Sequence, residues 1–162
     1  MNYDVIIIGA GPGGIFAAYE LMKEKPDYKV AVFEEGYSLE KRKCPIDGKK
    51  IKNCINCKRC SIMCGFGGAG AFSDGKFNFT TQFGGWLTDY MEPAEVMNLI
   101  EYVDSINVAH GATIERYSTS TPEARALEIE ALKYDLHLLQ AQCKHLGTER
   151  NLQILTNIYE SQ

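Results

Sequence analysis

The stretch DVIIIGAGPGG, residues 4–14, constrains the fold more than any other part of the sequence. Its apolar run, residues 3–8, shows no polar alternation, which is typical of a parallel strand buried on both faces. Apolar residues at helical spacing then fill residues 15–25, and Pro26 stops that helix. A second apolar run follows at residues 29–33. The order strand, glycine turn, helix and strand predicts a βαβ unit.

The glycine turn matches the fingerprint of a dinucleotide-binding turn. Gly9 permits a tight turn, Gly11 permits close approach of phosphates, and Gly14 permits the helix to pack on the strand. Pro12 and Gly13 open the helix, whose N-terminus favours a pyrophosphate. The turn and the residues that follow it therefore predict a pyrophosphate site.

Glu34 stands at the end of the second strand, about 20 residues beyond the glycines, as the fingerprint requires. A carboxylate there accepts hydrogen bonds from ribose hydroxyls and repels a ribose phosphate, which favours FAD or NAD over NADP. The fingerprint does not separate FAD from NAD. The alternative is an ordinary turn followed by a solvated Glu34.

A cysteine-rich segment suggests metal chemistry. Four cysteines have the spacing of bacterial ferredoxin ligands, although Gly65 replaces the usual proline: Cys54, Cys57, Cys60 and Cys64. Cys44 is an alternative fourth ligand. An iron-sulfur cluster and zinc both suit such thiols, and Cys57 with Cys60 also suits a redox pair. The pattern therefore predicts a metal or redox role without fixing which.

A second glycine signature, GFGGAG, directly follows these cysteines. No strand precedes it, and a turn signal at Asp74-Gly75 follows in place of a helix, so we reject it as a second dinucleotide turn. Its glycines still allow the backbone to approach a flat or anionic group, with Ser73 and Lys76 supplying a hydroxyl and a positive charge. The alternative is a flexible surface loop.

Helical periodicity returns in the second half of the chain. It predicts a helix over Pro93–His110 and a longer one from Pro122 to about His145, capped by Ser120 or Thr121. The stripe on the longer helix predicts a packing face, with Cys143 as a small core residue. We expect the three histidines to be ordinary helix residues: His110, His137 and His145. The last residues, LQILTNIYESQ, predict the start of a further element.

Charge and hydropathy exclude several classes of function. The net charge is −4, and no basic block is long enough to predict a nucleic-acid footprint. The opening apolar run is too short for a membrane span and lacks the features of a secretory signal. We therefore expect a cytoplasmic protein, where six cysteines serve metal or redox roles rather than disulfides.

Two stretches also resemble a known family. DVIIIGAGPGGIFAAYEL with VAVFEEG resembles the FAD-binding start of the glutathione reductase-like flavoproteins, which have two dinucleotide-binding domains. The region CPIDGKK through GFGGAGAFSDGKFNFTTQFGG is similar to FAD-dependent dehydrogenases of bacteria and archaea. The resemblance implies that FAD lies with its pyrophosphate at Gly9–Gly14 and its ribose at Glu34. It also implies that a segment including Gly67, Gly68, Ser73 and Lys76 adjoins the pyrophosphate or flavin.

Members of that family are much longer, so we expect this chain to be an amino-terminal fragment with an incomplete FAD site. The predicted fold is α/β: a Rossmann-like βαβ unit at 1–43, a Cys/Gly-rich segment at 44–90 and a mainly helical segment at 91–162. The expected parent is an FAD-dependent oxidoreductase that takes hydride from NAD(P)H and passes electrons to an unidentified acceptor. The alternatives are a noncatalytic iron-sulfur or zinc module that docks a nucleotide, and an NAD-binding domain without flavin.

Overall fold

The computed structural model describes residues 2–161 and shows a mixed α/β chain. It divides into two compact units: residues 1–73 with 148–162, and residues 74–147. The second unit is therefore inserted, in sequence, between two parts of the first. The earlier division at residues 43 and 90 followed composition and expected role, and it stays a prediction.

The first unit contains a strand–helix–strand arrangement in the predicted order. Strands β1 (Val5–Ile8) and β2 (Val30–Phe33) are parallel and in register, so that Val5 faces Val30. Helix α1 (Pro12–Glu24) joins them and buries Ile15 and Ala18. Helix α4 (Thr148–Glu160) completes the unit and corresponds to the element predicted at the end of the chain.

β1 was expected to be buried on both faces, and this expectation was wrong in part. Its alternate residues Ile6 and Ile8 are exposed, Ile8 to 81%. The reason is that the sheet pairs only β1 with β2 in the described part of the chain, so α1 covers one face.

The second unit is built on an antiparallel sheet of three strands in the order β3-β5-β4. These strands are β3 (Lys76–Phe79), β4 (Tyr117–Ser118) and β5 (Gln142–His145). Helix α2 (Pro93–Ala109) follows the prediction closely, and a reciprocal pair of hydrogen bonds between Glu92 and Glu95 caps its start. Helix α3 (Pro122–Leu132) begins where predicted, with the Thr121 hydroxyl accepting the Ala124 N–H.

The long helix predicted through His145 is wrong. α3 ends at Leu132, and Asp135 adopts a left-handed conformation with φ of 57° that an α-helix does not tolerate. The predicted packing stripe is broken, and Leu136 and Leu139 are exposed. Residues 142–145 instead form the central strand β5, because pairing with strands on both sides outweighs helical spacing.

This change also corrects the side chains placed on that helix. Cys143 is half-buried on β5 and pairs across the sheet with Asn78. His145 also lies on β5, with its Nε2 3.8 Å from an Asp74 carboxylate oxygen. His137 lies outside any helix or strand, whereas His110 follows the last residue of α2.

Candidate functional site

The glycine turn between β1 and α1 requires glycine at two positions for reasons internal to the protein. Gly9 has a φ of +96°, which disfavours residues with a Cβ, and its N–H donates to the Phe33 carbonyl at 2.7 Å. A Cβ at Gly14 would lie 1.9 Å from the Gly9 carbonyl oxygen. Gly9 therefore forms a tight turn, and the start of the helix lies too close to this turn for a side chain at Gly14. The cofactor-binding roles of both glycines stay predictions.

Gly11 differs, because nothing in the protein requires it to be glycine. Its φ is −74°, which any residue adopts, and no atom lies within 4 Å of where its Cβ would be. Gly13 is similarly open, and no side chain caps the helix start. The amides of the first helical turn lack intrahelical acceptors. The turn therefore presents open space and free donors at a position of positive partial charge.

Glu34 contacts this turn directly. Its Oε2 accepts the Ala10 N–H at 2.8 Å, and its Oε1 accepts the Gly36 and Gly65 N–H groups at 2.9 and 3.0 Å. These bonds lower the pKa of Glu34, with the Ala10 bond the largest cause, and they outweigh the opposing effect of burial. A carboxylate offers about four acceptor positions, so about one remains for a ribose hydroxyl.

The second glycine signature packs on the first. The Gly67 N–H donates to the Ala10 carbonyl at 2.8 Å, and the Cβ position of Gly68 is 3.4 Å from the Gly11 Cα. A single 3₁₀ turn over Ala69–Phe72 follows, rather than an α-helix. The rejection of GFGGAG as an independent dinucleotide turn agrees with this geometry, and Gly67 and Gly68 lie beside the first turn.

Arg42 holds the second glycine loop in place, and sequence reasoning missed it. The side chain is 3% exposed, and its guanidinium donates to four backbone carbonyls. Nε bonds Ser61 at 2.9 Å, Nη2 bonds Ile62 at 2.7 Å, and Nη1 bonds Phe66 and Gly68 at 2.7 and 2.8 Å. In the sequence Arg42 stands between two lysines, which is typical of a solvated basic run and gives no signal of burial.

Other groups reinforce this arrangement. The guanidinium carbon of Arg42 lies 4.8 Å from the centre of the Phe72 ring, a cation–π contact. Burial lowers the pKa of Arg42, while the charge of Glu34 opposes that effect. From α4, the buried Asn151 donates its side-chain amide to the Gly70 carbonyl at 2.8 Å. The loop is thus fixed from both ends of the first unit's sequence.

A cleft of about 550 Å³ adjoins the turn. The lining residues include Ala10, Glu34 and three aromatic residues: Tyr37, Phe66 and Tyr159. Phe66 and Tyr159 meet edge to face with ring centres 5.0 Å apart. The cleft combines flat apolar surfaces with an acidic hydrogen-bond acceptor, which suits a nucleoside.

Ser73 and Lys76 were also predicted to approach the cofactor. Ser73 ends the 3₁₀ turn, with its N–H donating to the Gly70 carbonyl at 3.1 Å. Lys76 begins β3 in the other unit and forms an exposed ion pair with Asp74 at 2.9 Å. That bond raises the pKa of Lys76. The cofactor roles of both residues stay predictions.

The structure divides the five cysteines of the predicted metal site. Four of them line one cleft of about 310 Å³: Cys44, Cys54, Cys57 and Cys60. Cys64 is not among the lining residues; it lies between Ile62 and Gly65, whose backbone groups bond Arg42 and Glu34. Within residues 2–161, no three Cys, His, Asp or Glu side chains already converge as a metal site. Metal binding by Cys54, Cys57, Cys60 and Cys64 therefore stays a prediction.

Comparison with known proteins gives partial matches. The Thi4 family model matches residues 1–40, which contain β1, α1, β2 and Glu34. A thiamine thiazole synthase of Yarrowia lipolytica is 58% identical over 33 residues, 20% of this chain and 10% of that protein. One from Candida albicans is 51% identical over 35 residues, 22% of this chain and 10% of that protein.

A longer match comes from an uncharacterized protein of Clostridium beijerinckii, 39% identical over 71 residues. The match covers 44% of this chain and 13% of that protein. The chain therefore aligns with only about an eighth or less of the length of these relatives. No solved structure matches it significantly. None of the helices in residues 2–161 has the length and apolarity needed to cross a membrane.

Proposed function

We propose that the first unit binds FAD and forms the amino-terminal cofactor-binding part of an FAD-dependent oxidoreductase. The observation that carries this proposal is the open space at Gly11, next to free helix-terminal amides and the aromatic cleft bordered by Glu34. Neither the backbone conformation nor the packing of the protein requires glycine at position 11. A bound pyrophosphate explains the glycine, because a side chain at position 11 would block its close approach to the backbone.

The residues present fit a dinucleotide. The amides of Gly13 and Gly14 hold the pyrophosphate, and the remaining acceptor position of Glu34 holds a ribose hydroxyl. Gly67 and Gly68 border the same turn, so the bound dinucleotide lies close to the second glycine loop as well. When bound, FAD supplies hydride transfer, while the protein positions and tunes it.

The similarity to the Thi4 family supports the proposal because it covers the strand–helix–strand unit and Glu34 together. The similar thiamine thiazole synthases are enzymes by name, which supports an enzymatic parent. Dehydrogenation with NAD(P)H as co-substrate belongs to the proposal for the whole protein and rests on the family resemblance of the sequence.

Ligand selectivity tests the proposal. The chain is titrated with FAD, FMN, NAD and NADP by equilibrium dialysis, with ADP as a competitor. We expect FAD to bind tightest, ADP to compete with it, and FMN to fail because it lacks the adenosine and pyrophosphate groups that Glu34 and the turn recognise. Equal binding of FMN and FAD, or no competition by ADP, would contradict the assignment of the turn.

A further inference from the structure

The cysteine-lined cleft has a definite position in the first unit. Its walls carry the thiols of Cys44, Cys54, Cys57 and Cys60 together with apolar side chains that include Ile46 and Ile55. Both isoleucines are exposed, to 41% and 56% respectively. Residues 43–60 contain no helix or strand, so neither regular structure nor an apolar core of its own orders this segment.

A tight turn between Cys44 and Cys54 explains why Cys44 lines the same cleft as the other three cysteines. The Asp47 N–H donates to the Ile51 carbonyl at 3.1 Å, which reverses the chain. The Asp47 Oδ1 accepts the N–H groups of Lys49, Lys50 and Ile51 at 2.8 to 2.9 Å. Because the chain reverses here, Cys44 before the turn and Cys54 after it line the same cleft.

The backbone between Cys54 and Cys57 also makes a hydrogen bond to a cysteine sulfur. Asn56 adopts a left-handed conformation with φ of 51°. Its N–H points to the Cys54 Sγ at 3.4 Å. Hydrogen bonds from backbone amides to sulfur stabilise thiolates and tune metal-bound cysteines. This contact is an observation separate from the clustering of the four thiols.

Cys64 is part of the ferredoxin spacing, but its backbone belongs to the start of the second glycine loop. Its N–H donates to the Cys60 carbonyl at 2.8 Å, and the next residue, Gly65, donates to Glu34. Its carbonyl carbon lies 2.6 Å from the Cβ position of Gly36, so the backbone there has little room to move. The backbone of Cys64 is therefore held beside Gly36, just after β2, and Cys64 is not among the residues that line the cleft.

The local charge suits an anionic metal complex. Eight of the twenty residues from Lys41 to Cys60 are lysine or arginine, and Asp47 is the one acidic residue among them. A zinc ion on four thiolates carries a net charge of about −2, and the positive charge of this segment is of the opposite sign.

We propose that Cys44, Cys54, Cys57 and Cys60 form a tetrathiolate site for a thiophilic metal, and that Cys64 is not a ligand. The four thiols give up their protons to solvent as the sulfur–metal bonds form, and the metal keeps its oxidation state. The four cysteines line one cleft, and metal binding draws their sulfurs together within it. The site orders the segment and is independent of dinucleotide binding.

The first test measures metal stoichiometry and thiol protection on the full chain. Protein stripped with chelator is titrated anaerobically with Zn²⁺, desalted and analysed for zinc, and free cysteines are alkylated and located by mass spectrometry. We expect about one zinc per chain. Protection is expected at the four proposed ligands, with Cys64 and Cys143 alkylated. A parallel reconstitution with Fe²⁺ and sulfide distinguishes a cluster from a mononuclear site with the same ligands.

Single variants then separate the two ligand sets. Cys44→Ser is expected to lose metal and Cys64→Ser to retain it, with Cys143→Ser as the matched control. Loss of metal in Cys64→Ser with full retention in Cys44→Ser would overturn the proposal. The proposal would also be overturned if the wild-type chain retained neither zinc nor iron.

Asp47 provides a test that leaves every thiol in place. Asp47→Ala removes the acceptor that forms the turn, and we expect zinc affinity to fall about 10- to 100-fold, as for other groups that orient ligands. Asp47→Asn keeps the Oδ1 acceptor and is expected to restore most of that affinity. Equal affinity in the alanine variant and the wild type would contradict the role of the turn in bringing Cys44 to the site.

Discussion

Glu34 connects three segments that are distant in the sequence. It accepts N–H groups from the first glycine turn, from Gly36 at the end of β2 and from Gly65 in the second glycine loop. The fingerprint predicted an acid at this position but assigned it to the ribose. The bond to Gly65 was not predictable, because no sequence rule indicates that residues 34 and 65 meet.

The lowered pKa of Glu34 predicts a specific pH dependence of stability. Because the folded-state pKa lies below the ordinary 4.5, Glu34 contributes stability above that pH and loses it as the pH falls through the folded-state pKa. The difference in unfolding free energy between wild type and Glu34→Gln should be largest near pH 7 and shrink below pH 4.5. Urea unfolding at a series of pH values measures it. A difference that stays constant down to pH 3 would refute the role of the charge.

The hydrogen-bonding shape of the Arg42 guanidinium, in addition to its charge, is expected to hold the glycine loop in place. Lysine keeps the charge but lacks the planar fork that reaches four carbonyls. Arg42→Lys should lower the unfolding free energy by about 2–4 kcal/mol, since each buried carbonyl left without a donor costs about 1–3 kcal/mol. The exposed neighbour Lys41 is the control, and Lys41→Ala should change stability little. Equal unfolding free energies for Arg42→Lys and wild type would show that the fork is dispensable.

At the level of elements, the first strand, helix and strand were predictable because each has a continuous apolar run or a clear periodic face, with glycine or proline at its ends. The structure of the segment after α3 was not predictable in this way. Residues 132–146 also have helical spacing, yet β5 forms there because it pairs with β3 and β4, and Lys144 lies buried on it. Its Nζ lies 2.7 Å from both carboxylate oxygens of Asp104.

That site is a network of charges packed around Phe79. Arg116 also bonds Asp104 at 2.8 Å and pairs with Glu101, and its guanidinium carbon lies 3.6 Å from the centre of the Phe79 ring. The bonds to Glu101 and Asp104 raise the pKa of Arg116, with the Glu101 bond the largest cause. Lys144 itself is 1% exposed. The network therefore connects α2 to the sheet inside the second unit.

Replacing Lys144 tests whether this network stabilises the second unit. Lys144→Met leaves Asp104 without its closest buried partner, and we expect a loss of about 3–5 kcal/mol in unfolding free energy. Lys133 forms an exposed pair with Glu130, so Lys133→Met should cost about 0–1 kcal/mol. Thermal unfolding followed by circular dichroism compares the two. Similar losses in both variants would show that burial of the pair is unimportant.

At the scale of the whole molecule, the ends of the second unit meet each other. The Gly147 N–H donates to the Asp74 carbonyl at 2.9 Å, and the Leu146 N–H donates to the Gly75 carbonyl at 3.0 Å. Units with adjacent ends tolerate excision because a short linker can join the flanking residues.

We therefore expect a chain in which a short glycine linker replaces residues 74–147 to fold and to bind FAD. Residues 74–147 alone should give a cooperative unfolding transition. Loss of FAD affinity in the shortened chain, with its helical content preserved, would instead assign part of the cofactor site to the removed segment, where Lys76 lies.

The FAD site at the first glycine turn is tested by an FAD titration of wild type and Gly11→Val, followed by quenching of flavin fluorescence. The site at Gly11 is open and its φ is ordinary, so valine there should leave the circular dichroism spectrum and unfolding free energy nearly unchanged. Gly85→Val, at another open glycine, is the matched control. We predict that FAD affinity falls at least about 100-fold in Gly11→Val alone, equivalent to about 2.8 kcal/mol. Equal FAD affinity in wild type and Gly11→Val, or no FAD binding by wild type, would rule out an FAD pyrophosphate at this turn.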